Sequence, residues 1–181
     1  MPADLESAQT FLSHLSAHAH ILEVGCGNGE TLEGWKRLGF SVEGYEASAE
    51  LTREAQLKGL DVQQRDLRLL SPKKEFYDAV WCHQAIATFT IDECHRILGS
   101  LFKALRPKTG LLFISFLNSS DAAKEALNST PGPSRSQDGR YRHPLPAFFS
   151  LLRQSGFTVF LHGSRQDAAQ DSWTAIFARR S

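Results

Sequence analysis

The chain has 181 residues, 41% hydrophobic and 22% charged, with twenty basic residues against twenty acidic ones. That length suits one globular domain with a sizeable core, and the charge balance argues against the basic surface that nucleic-acid enzymes use to neutralise phosphates. There is no apolar stretch long enough for a bilayer, no basic and apolar leader, and no CxxC spacing among Cys26, Cys82 and Cys94; these absences predict a cytoplasmic protein with reduced thiols, no metal site and no membrane or nucleic-acid partner.

In chain order, Leu5, Ala8, Phe11, Leu12 and Leu15 recur at helical spacing and predict an amphipathic helix between Ala3 and Ala17. His14 and His18 stand one turn apart on it, with His20 close by, and without a thiol or acid in ligand register they read as an exposed helix face. The apolar run from Ile21 to Val24 then breaks into Gly25, Gly27 and Gly29, the pattern of a buried strand turning sharply under a ligand into a helix. Predicted helices over Thr31–Leu38 and Glu50–Lys58 each stop at a glycine, Gly39 and Gly59. They hand over to strands at Ser41–Tyr45 and around Val62. A compact apolar strand is expected over Tyr77–Cys82, a helix over Asp92–Leu105 and a strongly apolar strand over Leu111–Phe116.

From Asn118 to His143 the composition shifts to turn formers, which inside a compact domain marks a functional or mobile segment. A helix over Pro144–Ser155 and a hairpin of Phe157–His162 with Trp173–Ala178 complete a single domain over 1–181. The alternation of strands and helices predicts an α/β fold whose parallel sheet is covered on both faces.

Glu23, inside the strand and just before the glycines, sets this loop apart. A carboxylate there would repel a pyrophosphate but suits a ligand that offers donors and positive charge. The dinucleotide pattern fails at Glu30, and Gly29-Glu30-Thr31 lacks the lysine of a phosphate-binding P-loop. An acidic residue ahead of Gly-x-Gly-x-Gly resembles motif I of the class I S-adenosylmethionine (SAM) dependent methyltransferases, and the likeness runs from about Ala19 to Arg180. It implies a three-layer sandwich around a seven-stranded, mostly parallel sheet with its last strand antiparallel, the strands centred on Ile21, Val42, Val62, Val80, Phe113, Val159 and Ile176.

The resemblance also implies SAM as cofactor and a small-molecule acceptor as partner. On it, Glu23 would act on the methionine ammonium directly or through the groups around it, or else be a buried acid satisfied by the loop N–H groups, while the Gly25 carbonyl and the backbone around Cys82 complete the ammonium site and Cys26, Gly27 and Gly29 form the loop. Glu46, at the end of the second strand, would accept hydrogen bonds from both ribose hydroxyls. Asp66 and the Leu67 N–H would meet the adenine edge, with Ala47 and Leu67 sandwiching the ring. His83, after the fourth strand, is the candidate general base, or else a residue of the pocket wall. Tyr141 and His143 are candidates to complete the acceptor pocket, beneath a 118–143 insertion that covers the substrate. Cys82-His83-Gln84-Ala85 stands where adenine and glutamine methyltransferases carry Asn/Asp-Pro-Pro-Tyr, which argues against those acceptors. Two other readings compete: a cofactor-binding or regulatory protein without turnover, and an NAD-dependent oxidoreductase, which Glu23 disfavours.

Overall fold

The computed structural model describes residues 5–118, 134–135, 139–166 and 171–181. Seven strands form one sheet: β1 (His20–Val24), β2 (Ser41–Glu46), β3 (Val62–Gln64), β4 (Ala79–Cys82), β5 (Leu111–Leu117), β8 (Phe157–Gln166) and β9 (Ser172–Arg180). Their order is β3-β2-β1-β4-β5-β9-β8, and only β9 runs antiparallel to its neighbours. A two-residue ribbon, β6 (Ser134–Arg135) with β7 (Tyr141–Arg142), lies apart from it. Five α-helices accompany the sheet: α1 (Leu5–Ser13), α2 (Glu30–Arg37), α3 (Ala49–Leu57), α4 (Ile91–Ala104) and α5 (Leu145–Gln154). None of the described helices is long and apolar enough to cross a membrane.

Strand pleating divides the apolar residues between two faces. Leu22, Val80, Leu112 and Ile114 pack with Ile97 and Leu101 of α4 and Phe148 of α5. Ile21, Trp81, Phe113 and Phe177 pack on the other side with Phe11, Leu32 and Trp35. Each large side chain fully buried in this way contributes about 1.5–3 kcal/mol. The second face is an aromatic floor, with Trp81 stacked on Phe113 at 3.7 Å and Phe177 edge-on to Phe113 at 5.0 Å between ring centroids.

Local chemistry sets the helix ends. Thr90 and Glu93 form a reciprocal capping box on α4, Thr90 N–H donating to Glu93 Oε2 at 2.8 Å. Ser48 caps α3 by accepting from Leu51 N–H. In α2, Glu30 and Glu33 occupy the first turn and Lys36 and Arg37 the last, complementing the helix dipole.

Two expected element ends are revised. The first helix stops at Ser13, four residues early, because the chain turns through Ser16 and His18 adopts a left-handed φ of 62°. His14 and His18 therefore share no helical face: His14 meets Phe160 edge-on, while His18 Nδ1 lies 3.0 Å from the Gly39 carbonyl. Strand β8 continues past His162 to Gln166, sustained by pairing along β9, and its register shifts between Val159, opposite Ala178, and Leu161, opposite Phe177. That bulge lets Phe160 pack beside His14 and Phe177 while His162 packs against Phe149 of α5. Of the 118–143 insertion, 119–133 and 136–138 lie outside the described residues. Its last part is tied across the top of the sheet by Tyr141 N–H to the Ala87 carbonyl and His143 N–H to the Leu117 carbonyl.

Candidate functional site

The carboxyl ends of the parallel strands meet at the point where strand order reverses, between β1 and β4, which is where open α/β sheets bind ligands. Gly25, Gly27 and Gly29 all have positive φ there, 72°, 55° and 78°. A Cβ on Gly25 would stand 2.5 Å from Ala85 Cβ, so this glycine lets the loop after β4 close onto the loop after β1. Gly27 differs: among the described residues nothing lies within 4 Å of where its Cβ would be. One glycine permits packing, and the other keeps space open.

Glu46 ties the loop to β2. Its Oε2 accepts from Gly27 N–H at 2.9 Å and its Oε1 from Ser48 N–H at 2.8 Å, leaving each oxygen a further lone pair. Glu23 lies within β1 between Gly44 and Trp81 of the flanking strands and is buried. Burial raises its carboxyl well above the usual range; a hydrogen bond from Thr31 offsets part of this, and the Glu46 charge adds to it. Glu23 Oε2 has no hydrogen-bond partner among the described residues. A buried carboxyl oxygen without a donor, in the strand that leads into a glycine loop bordering open space, fits a ligand that brings an ammonium and positive charge, and so fits SAM.

Cys26 and Cys82 are buried, and burial raises both thiols, with the nearby Glu23 charge adding to the effect. Both remain protonated and unreactive at neutral pH. Cys26 packs toward Gly44, where an added Cβ would come 2.7 Å from its sulfur.

On the adenine side, Asp66 is already engaged. It accepts from Arg68 N–H at 2.9 Å and from the Arg68 guanidinium at 2.7 Å, and these bonds hold its carboxyl below the usual range. Leu67 turns its side chain into the core, whereas Ala47 is exposed. Of the expected pair, Ala47 is the side chain open to a ligand, while Leu67, at the start of the 3₁₀ turn Leu67–Leu69, is spent on packing.

Beyond the loop, a cavity of about 270 Å³ opens between α1 and the upper ends of β4, β5, β8 and β9. His83 and Ser115 stand on one side of it, Trp173 and Phe177 on another, and Glu6 and Arg165 also line it. His83 Nδ1 lies 3.0 Å from Ser115 Oγ, and Ser115 Oγ accepts from Gln84 N–H at 2.9 Å. Gln84 itself has φ 58°, a strained value for a side-chain-bearing residue.

Tyr141 and His143 do not line this cavity. His143 is fully buried beside Phe116, Phe148 and Cys94, with Nε2 3.8 Å from the Cys94 sulfur. Its expected contact with substrate is corrected accordingly: the chain crossing from Tyr141 to Leu145 plugs His143 into the core. Sequence reasoning missed Ser115, whose signal was a lone hydroxyl in an otherwise apolar strand. It also missed Asp171, which is buried between Arg140 and Arg142 and fastens the end of the insertion to β9.

Sheet order, antiparallel seventh strand and acid-glycine loop together define the Rossmann-like fold of the class I SAM-dependent methyltransferases. The profile of the methyltransferase domain family (Methyltransf_23) matches residues 2–162, and the chain belongs to that family. It is 33% identical over 114 residues to a ubiquinone biosynthesis O-methyltransferase of Xanthomonas oryzae pv. oryzae. That match covers 59% of this chain and 46% of the relative, so the chain spans about half the length of the curated relatives it matches. Its fold is that of a SAM-dependent methyltransferase structure from Methanosarcina mazei, with a TM-score of 0.78 at 16% identity over 94% of this chain and 96% of that one. A similar likeness, TM-score 0.78 and 20% identity over 99% and 79%, holds for a 1,6-didemethyltoxoflavin-N1-methyltransferase of Burkholderia thailandensis with bound 1,6-didemethyltoxoflavin and S-adenosylhomocysteine.

Proposed function

We propose that this chain, acting as a single domain, transfers the methyl group of SAM to a small-molecule acceptor and releases S-adenosylhomocysteine. The observation that carries this reading is the buried Glu23 carboxyl group, one oxygen of which lacks a donor, in the strand whose glycine loop borders open space at Gly27. When bound, SAM supplies a methyl group activated by its sulfonium.

Glu23, with the Gly25 carbonyl and the backbone at Cys82, would hold the methionine ammonium. Cys26, Gly27 and Gly29 would shape the loop around it. Glu46 would accept from the ribose hydroxyls through the lone pairs that Gly27 and Ser48 leave. The Leu67 N–H, the exposed Ala47 methyl and the remaining lone pair of Asp66 would meet the adenine. His83 would face the acceptor in the cavity. The aromatic floor of Trp81, Phe113 and Phe177 keeps that end of the site apolar. Positioning and exclusion of water then supply most of the acceleration, since the thioether is a good leaving group.

A cavity of about 270 Å³ suits a small acceptor rather than a macromolecular one. Calorimetry with SAM and S-adenosylhomocysteine tests the cofactor, and absence of binding to folded protein overturns the reading. Incubation with labelled SAM and cell extract, followed by mass spectrometry, tests turnover. Binding without any labelled product across a broad acceptor panel would favour a regulatory protein instead.

A further inference from the structure

Two carboxyl groups flank the glycine loop, and the structure provides for them unequally. Glu46 has a backbone donor for each oxygen, Gly27 N–H at 2.9 Å and Ser48 N–H at 2.8 Å. Glu23 is buried in β1; the Thr31 hydroxyl donates to it from the first turn of α2, while its Oε2 meets no hydrogen-bond partner among the described residues. The titratable groups that bear on it from the neighbouring elements are Glu46 at the end of β2, Cys26 in the loop and Cys82 at the end of β4. Glu46 carries a charge of the same sign and the two buried thiols are neutral, so none of the three offsets a negative charge on Glu23. Of two carboxyls placed in this way, the one short of donors keeps a proton, because a neutral acid costs far less to bury than an unpaired carboxylate.

We propose that Glu23 is a neutral acid in the free protein and gives up its proton to solvent when SAM or S-adenosylhomocysteine binds, so that cofactor affinity is set by pH. This rests on the methyl-transfer reading above. Both ligands carry an ammonium, and an opposite charge within about 4–6 Å favours the charged form of a carboxyl. The loop assigned to that ammonium begins two residues beyond Glu23, at Gly25. Where the free carboxyl is neutral and the bound one ionised, one proton leaves for each ligand that enters, and by linkage affinity then rises about tenfold per pH unit. The rise levels off above the carboxyl's value in the free protein. The charged partner of the ammonium is thus made by the ligand's arrival, and the free site carries no unpaired charge in its interior.

The test is calorimetry of S-adenosylhomocysteine binding in buffers of different ionisation enthalpy at about pH 6 to 7, below the α-amino range of about 7.7–8.0, so that the ligand's ammonium exchanges little. Wild-type protein is expected to release more protons than Glu23→Gln, by up to about one per site, and its affinity to climb more steeply with pH than that of the variant. Any exchange left in the variant belongs to other groups. Equal release from the two proteins, or more from the variant, overturns the proposal. Infrared difference spectroscopy gives a second reading that needs no variant. On addition of the ligand to wild-type protein, the carbonyl band of a carboxylic acid is expected to give way to a carboxylate band, both moving on isotopic labelling of glutamate. A bound ligand without that exchange overturns the proposal as well. Failure of S-adenosylhomocysteine to bind folded wild-type protein at any pH overturns the functional reading itself, a distinct outcome.

Discussion

Replacing Gly27 by alanine separates the space kept for a ligand from the space needed for folding. The site has φ 55°, where a side chain costs about 1–2 kcal/mol. No described atom lies within 4 Å of the new methyl, so no clash within the protein adds to that cost. For a chain of this size the loss corresponds to a fall of roughly 2–8 °C in Tm. The methyl enters the open space assigned to the cofactor, and overpacking of about 1–3 kcal/mol there weakens SAM binding roughly 5- to 150-fold. Gly25→Ala is the contrast. Its φ is 72° and its new Cβ stands 2.5 Å from Ala85 Cβ, so strain and clash together remove about 2–5 kcal/mol of stability. Scanning fluorimetry gives both Tm values, and calorimetry with S-adenosylhomocysteine gives the affinities. Wild-type affinity in Gly27→Ala, or equal losses of stability in the two variants, would refute the division of labour between these glycines.

Glu23→Gln is expected to weaken cofactor binding roughly 10- to 100-fold by removing a charged partner, yet to raise the Tm of the ligand-free protein. The sign follows from burial: a folded-state carboxyl raised above its unfolded value binds more protons in the native state, so stability falls as pH rises from the unfolded value through the folded one. A lowered Tm for the variant at neutral pH would contradict this. Asp171→Asn leaves Arg140 and Arg142 facing each other without their shared carboxylate and should cost about 1–3 kcal/mol, measured by urea denaturation; no change would mean the clamp carries no stability. Burial lowers the His143 imidazole below its model-compound value of 6.5, so the unfolded chain binds the proton better and stability drops as pH falls through that value. In His143→Leu the acid-side loss, followed by thermal melts between about pH 7 and pH 5, should shrink.

The architecture was legible because its signals are repeated. All seven predicted strand centres lie inside observed strands, and Gly39, Gly59 and Gly156 close helices with φ of 89°, 74° and 90°. The glycine loop was legible because backbone constraints are written directly in residue type. Side-chain commitments were harder to read. Leu67 looked available to a ligand but packs inward, and Asp66 is engaged by Arg68, two residues away. His143 lies in a polar segment, and its burial depends on Asn118 bridging to it across the sheet. Such contacts depend on which distant strands become neighbours, and no local pattern reports that. Ser115 was visible as an anomaly in Leu111–Leu117, yet its meaning required His83 and Gln84 to be placed on either side of it.

The irregularity in β8 has a further consequence. Because strand side chains alternate between faces, a shift of one residue exchanges everything beyond it. Phe160 is the extra residue that absorbs such a shift: Leu161 already stands opposite Phe177 and His162 opposite Ile176, so deleting Phe160 would join Val159 to Leu161 with every later pairing kept. A one-codon deletion there would remove the ring beside His14 and leave the rest of the chamber wall in place, whereas an insertion or deletion beyond Leu161 would turn that wall inside out.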